Sequence, residues 1–185
     1  MAAIATLSKL NLPNLLTIIR IVLVPVFLFL ILKDSLYIAA IIFAVAGLTD
    51  LVDGIIARRL KTVTKLGADL DPVADKLLLS TAFIVLAIKG YLPVWLSVIV
   101  VARDSIMLTT VIILKRMKYA VNTRPMIAGK LTTFFQVFCV IFALLFREIL
   151  GIYLFYIFTA LITIVGAAEY ALREINLIKR SKSGS

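Results

Sequence analysis

Four carboxylates, Asp50, Asp53, Asp71 and Asp75, are the residues of this chain best suited to chemistry. With Asp69 they make five of the ten acidic residues in the whole sequence. They stand between hydrophobic stretches long enough to cross a bilayer. A carboxylate at membrane depth costs roughly 2.5–3.5 kcal/mol on insertion scales, so four in one region need a compensating partner. Divalent metal is the obvious one, because hard cations take oxygen ligands. The chain has no histidine, which removes the commonest general base and transition-metal ligand. Acid–base and metal chemistry must therefore rest on carboxylates.

The spacing sharpens this. Asp50 and Asp53 are three apart on a predicted helix and share a face; Asp71 and Asp75, four apart, do the same. A helical hairpin that turned the two faces together would make a nest for one or two Mg²⁺ or Mn²⁺ ions. Paired metals about 3.5–4 Å apart are a recurring device of phosphoryl transfer. Gly54 leaves space for a phosphate or nucleotide to approach the backbone, and Ala57 lies one turn further on. Gly67 lets the chain turn or be approached closely. Arg58 suits a phosphate or a neighbouring carboxylate. Asp69 falls outside the pattern and reads as a solvated loop residue. A few acids near a helix end are more often solvated or paired with arginine than catalytic. Here the whole run D-x-x-D-G-x-x-A-R, eight residues, G-x-x-x-D-x-x-x-D is present, and chance agreement at so many positions is remote.

The elements that must position these residues are membrane helices. The 185 residues are 63% hydrophobic, with a mean hydropathy of +1.12, well above the apolar share of a soluble domain. The expected fold is all-α: a polytopic bundle of six transmembrane helices, at about 13–32, 36–59, 69–88, 92–114, 127–146 and 150–171. Residues 2–12 are mildly amphipathic and read as a short interfacial segment. Residues 1–180 form one domain and 181–185 a polar tail. Cys139 lies in an apolar run and reads as packing. The first apolar run lacks a small-residue cleavage site and reads as a spanning helix.

The net charge of +10 reports topology and contact with anionic membrane lipid; no soluble basic module is present to bind nucleic acid. One set of loops carries Arg58, Arg59, Lys61, Lys65, Lys115, Arg116, Lys118, Arg124, Arg173, Lys179, Arg180 and Lys182, and Lys9 joins it. The opposite set has Lys33, Lys89 and Arg147. The positive-inside rule puts both termini and the acidic cluster on the cytoplasmic side of the cell (inner) membrane.

The run from Asp50 to Asp75 resembles, without a departure, the signature of the CDP-alcohol phosphatidyltransferase family. Asn11-Leu-Pro-Asn14-Leu-Leu-Thr17-Ile-Ile-Arg20 and Leu70-Asp71-Pro72-Val73-Ala74-Asp75-Lys76 resemble the bacterial phosphatidylglycerophosphate synthases of that family. The resemblance covers most of residues 10–145. It implies a six-helix homodimer with a polar cavity opening to the cytoplasmic interface. It also implies CDP-diacylglycerol as donor, a polar alcohol as acceptor, and release of CMP. Carried over by position, Asp50, Asp53, Asp71 and Asp75 become ligands of two Mg²⁺ or Mn²⁺ ions. Asp75 becomes the general base. Asn14, Thr17, Asp53, Gly54, Ala57, Arg58 and Gly67 become the CDP-lipid contacts. A carboxylate beside two cations is a weakened base, but the same cations acidify a nearby hydroxyl, so a strong base is not required.

For the acceptor, Arg103, Arg124 and Lys130 are the candidate residues, since fixed guanidinium and ammonium groups suit a phosphate monoester. A structural ion pair of Arg103 with Asp104 is the competing reading. Ala102-Arg103-Asp104 stands where phosphatidylglycerophosphate synthases usually have Ala-Arg-Glu, and Thr109-Thr110-Val111-Ile112 stands where they carry a second Arg. Arg103-Asp104 and Arg124-Pro125…Gly129-Lys130 also resemble cardiolipin synthases. Glycerol-3-phosphate is the favoured acceptor, phosphatidylglycerol the alternative, and inositol phosphate or another polar alcohol a third. A cation or proton transporter would spread its charges along several helices; here the acids gather at one side.

Overall fold

The computed structural model describes residues 12–47, 65–116 and 127–183. Among them there are six helices and no strand. They are α1 Leu12–Leu32, α2 Leu36–Gly47, α3 Lys65–Ile88, α4 Val94–Arg116, α5 Ile127–Leu145 and α6 Ile152–Ser183.

The turns at one end explain why the helices stop where they do. After α1, the Asp34 amide donates to the Ile31 carbonyl at 3.1 Å and the Ser35 amide to Leu30 at 2.9 Å. After α3, the Gly90 amide donates to Ala87 at 3.0 Å and the Tyr91 amide to Leu86 at 2.8 Å. Both are Schellman caps, which need a left-handed residue just past the helix. Gly90 fills that position with φ 73° and Asp34 with φ 54°. Glycine takes it without steric cost, and Asp is among the few other residues that tolerate it. Pro93 then opens α4, its carbonyl accepting from the amides of Leu96 and Ser97.

The two caps are tied to each other. The Asp34 carboxylate accepts from Lys89 Nζ at 3.0 Å and from the Tyr91 hydroxyl at 2.8 Å. Arg147, just past α5, lies 4.9 Å from the Tyr91 ring centroid. The Tyr156 hydroxyl of α6 donates to the Tyr91 carbonyl at 3.4 Å. All three connections of this end are thereby joined. The contacts also fix direction: α1, α3 and α5 end here, while α2, α4 and α6 begin here.

Helix α3 is central, packing against α1, α4 and α5, while α6 packs on α4 and α5. The core holds Phe27 and Ile31 of α1, Phe43 of α2, Phe83 and Leu86 of α3, Leu96 and Val100 of α4, and Val140 of α5. Buried alanines, among them Ala39, Ala40, Ala82, Ala143 and Ala160, let the backbones approach closely, as bundles in lipid require.

The outside of the bundle is apolar. The windows Val94–Val111 and Ile152–Glu174 are long and apolar enough to cross a membrane, and only 28% of each is buried inside the protein. The core helix of a soluble protein would be mostly buried. Here Phe29, Ile88, Val98, Leu154 and Val165 are exposed. The other helices carry shorter apolar stretches, Ile21–Leu32, Leu36–Gly47, Lys76–Ile88 and Gly129–Leu145.

Most expected helix positions agree with the observed ones, and two local readings change. Asp69 lies inside α3 rather than in a loop, and Gly67 sits in the same helix rather than at a turn, a position that still leaves it open to close approach. Helix α4 runs unbroken through Arg103 and Asp104, as expected. The polar tail is helical as far as Ser183: at about 1.5 Å per residue α6 is about 48 Å long, well beyond a hydrocarbon core of about 30 Å. The interfacial segment at 2–12 lies outside the described residues except for Leu12.

Candidate active site

The end opposite the joined caps gathers the starts of α1, α3 and α5. Asn14 and Thr17 lie in the first turns of α1, Gly67, Asp71 and Asp75 in the first half of α3, and Lys130 in the first turn of α5. Asp71 and Asp75 fall on one unbroken helix, four residues apart, so their Cα positions stack on one face. Asp50, Asp53, Gly54, Ala57, Arg58 and Arg124 lie outside the described residues. Among the described residues, no three His, Cys, Asp or Glu side chains gather into a metal site; half of the expected ligand set is beyond them.

The best-defined charged group lies one step deeper. Arg103 Nη1 donates to Asp104 Oδ1 at 2.6 Å. Lys76 Nζ, from α3, sits 3.0 Å from Asp104 Oδ2 as an ion pair rather than a well-directed hydrogen bond. The Arg103 and Asp104 side chains are 5% and 1% exposed, and that of Lys76 is 17% exposed. Among the described residues, the buried Arg103 Nε–H meets no acceptor. Two cations thus share one carboxylate between α3 and α4. Of the three expected acceptor residues, Arg103 is committed in part to Asp104. Lys130 is exposed, and no hydrogen bond or ion pair joins it to Arg103 among the described residues.

A second polar group runs down the α5–α6 seam. Gln136 Nε2 donates to Thr163 Oγ1 at 3.3 Å, Thr163 to the Thr159 carbonyl at 2.7 Å, and Thr132 to the Ile162 carbonyl at 3.3 Å. These are interhelical and back-bonded contacts of the kind that hold helices together in lipid. Sequence reasoning quoted Lys76 and Asp104 but assigned neither a link between helices. It passed over Glu174, which is 5% exposed near the far end of α6. The signal for Glu174 was an acid at the edge of an apolar run.

The family model of the CDP-alcohol phosphatidyltransferases matches residues 10–168. The chain belongs to the CDP-alcohol phosphatidyltransferase family. This CDP-alcohol phosphatidyltransferase is an enzyme, a transferase of phospholipid biosynthesis, and the family is generally divalent-metal dependent. It is 35% identical over 189 aligned positions to a probable phosphatidylglycerophosphate synthase of Mycobacterium tuberculosis, covering 94% of this chain and 87% of that one. A CDP-diacylglycerol–glycerol-3-phosphate 3-phosphatidyltransferase of Bacillus subtilis is 39% identical over 109 positions, 51% of this chain and 56% of that one. A CMP-forming cardiolipin synthase of Rattus norvegicus is 43% identical over 102 positions, 55% of this chain and 34% of that one.

Proposed function

We propose that this chain transfers the phosphatidyl group of CDP-diacylglycerol to a hydroxyl of glycerol-3-phosphate, releasing CMP. One observation carries the choice of acceptor. The similarity that runs through nearly the whole chain, 94% of it, is to a phosphatidylglycerophosphate synthase. The higher identity to a cardiolipin synthase is confined to about half, 55%.

In this reading the hydroxyl oxygen of the acceptor forms a bond to the phosphorus that bears diacylglycerol. The bond from that phosphorus to the CMP oxygen breaks. Asp75 receives the hydroxyl proton. Asp50, Asp53, Asp71 and Asp75 hold divalent cation; an all-oxygen donor set, two of whose members stand one turn apart on α3, fits a hard ion. A bound cation supplies charge neutralisation at the pyrophosphate. Gly54, Ala57, Arg58 and Gly67, with Asn14 and Thr17, surround the CDP moiety. Arg103, Arg124 and Lys130 receive the acceptor. All six helices span the bilayer, the site opens to the cytoplasm, both termini are cytoplasmic, and the enzyme is a homodimer.

Phosphatidylglycerol as acceptor is the second reading, favoured by the cardiolipin synthase match and by Asp104. The test uses purified protein in detergent with CDP-diacylglycerol and Mg²⁺. Glycerol-3-phosphate, phosphatidylglycerol and inositol phosphate are offered separately, and CMP and lipid products are resolved. Phosphatidylglycerophosphate from glycerol-3-phosphate is expected. Cardiolipin alone, and only with phosphatidylglycerol, reverses the choice. Absence of CMP release with every acceptor removes the transferase reading.

A further inference from the structure

The Lys76–Asp104 pair is placed where it controls more than stability. Lys76 follows Asp75 directly on α3, and its ammonium reaches across to α4. A helix within a bundle can turn about its axis or slide along it. Towards the capped end α3 is held by buried Leu78, Leu79, Ala82, Phe83 and Leu86. That packing is apolar and repetitive, and a turn of about 100° is all that separates neighbouring residues around a helix. Nearer the Asp71–Asp75 turn, the described tie is the ion pair. Asp104 is rigid in its own right, nearly fully buried and bonded to Arg103.

Energetics argue that the charges are not there for stability alone. Replacing a buried ion pair by apolar groups is often neutral or stabilising, and fixing register is the best-attested use of such pairs. A lone ammonium beside a metal ligand also repels cations, so Lys76 opposes metal binding unless its tether gives something in return.

We propose that Lys76 and Asp104 are positioning residues: their ion pair locks α3 in rotation against α4 and so aims Asp71 and Asp75 at the cation they share with Asp50 and Asp53. The proposal rests on reading those aspartates as metal ligands. Lys76→Met distinguishes positioning from charge, because the two predict opposite signs. It strands no buried charge, since Asp104 keeps Arg103. If Lys76 acts only through its field, its removal tightens metal binding. If it positions α3, its removal weakens metal binding, and loss of such an outer partner typically costs about 10- to 100-fold.

The experiment measures, in the full chain in detergent and without substrate, the rise in melting temperature with Mn²⁺ or Mg²⁺ and its half-saturating concentration. The half-saturating metal concentration in turnover is measured beside it. Lys76→Met is expected to raise both about tenfold or more, and Lys76→Arg to restore most of the loss. Lys76→Gln also removes the ammonium but keeps a polar end; it guards against a Lys76→Met protein that does not fold and is expected to shift both values the same way. Unchanged or lowered values in the variants overturn the positioning role. A wild type whose melting temperature ignores metal overturns the ligand reading itself.

Discussion

Asp71 and Asp75 should fail differently when neutralised. Asp71→Asn, like Asp50→Asn or Asp53→Asn, removes charge from a site whose work is electrostatic, and turnover should fall by ~100-fold or more. A chelator should do the same, with Mg²⁺ or Mn²⁺ restoring the wild type; full activity in EDTA would refute the metal reading. Asp75→Asn should lose most of kcat while still binding CDP-diacylglycerol, because the proton acceptor acts only in the reaction step. A loss of only a few-fold would reduce Asp75 to an auxiliary ligand. The pattern these residues make was legible because it lies in local spacing along one stretch of chain. The part played by Lys76 was not: its partner is 28 positions away on another helix, and nothing in local spacing says which face of α3 meets α4. Arg103 was legible further: an ion pair with the adjacent Asp104 was the competing reading of its charge, and the structure contains that pair.

Between the helices, the paired caps give a test with a definite sign. Asp34 is held below the usual carboxylate range, first by the Tyr91 hydroxyl and then by Lys89. Its folded pKa is therefore below its unfolded one. The stability it contributes is complete above the unfolded value of about 3.9 and is lost as pH falls through the lower folded value. Asp34→Asn keeps a side chain that tolerates positive φ but removes the charge. Its melting temperature should lie slightly below wild type from neutral pH to about pH 5, and the gap should close in stronger acid. A gap that widens in acid contradicts the sign. Asp34→Ala should cost more, since it adds strain at φ 54°. Helix limits were largely visible in the sequence. The stretches expected at 92–114 and 127–146 appear as Val94–Arg116 and Ile127–Leu145, because apolar runs bounded by Pro, Gly and charge leave few alternatives. Gly67 and Asp69 were misplaced because turn preferences learned from water mislead where helical hydrogen bonds must be completed within the chain. The pairing of the caps through Asp34 was invisible, as it depends on α1 and α3 ending side by side.

At the scale of the molecule, hydropathy alone announced a membrane protein, and the exposed apolar sides of α4 and α6 agree with it. Orientation can be read by cysteine labelling, since native Cys139 is buried and contributes little background. With membrane-impermeant reagent outside the cell, a cysteine replacing Glu148, which is 88% exposed, should react. Cysteines replacing Lys61 or Lys118 should not. The reverse pattern would set the acidic stretch on the wrong side for cytoplasmic nucleotide-lipid. The interlocked connections around Asp34, Tyr91 and Arg147 carry a consequence for motion. An end whose three connections are fastened to one another holds its helix ends together as one piece. Any parting of the helices wide enough to admit a large molecule is therefore confined to the opposite end, where Asp71, Asp75 and Lys130 lie along α3 and α5.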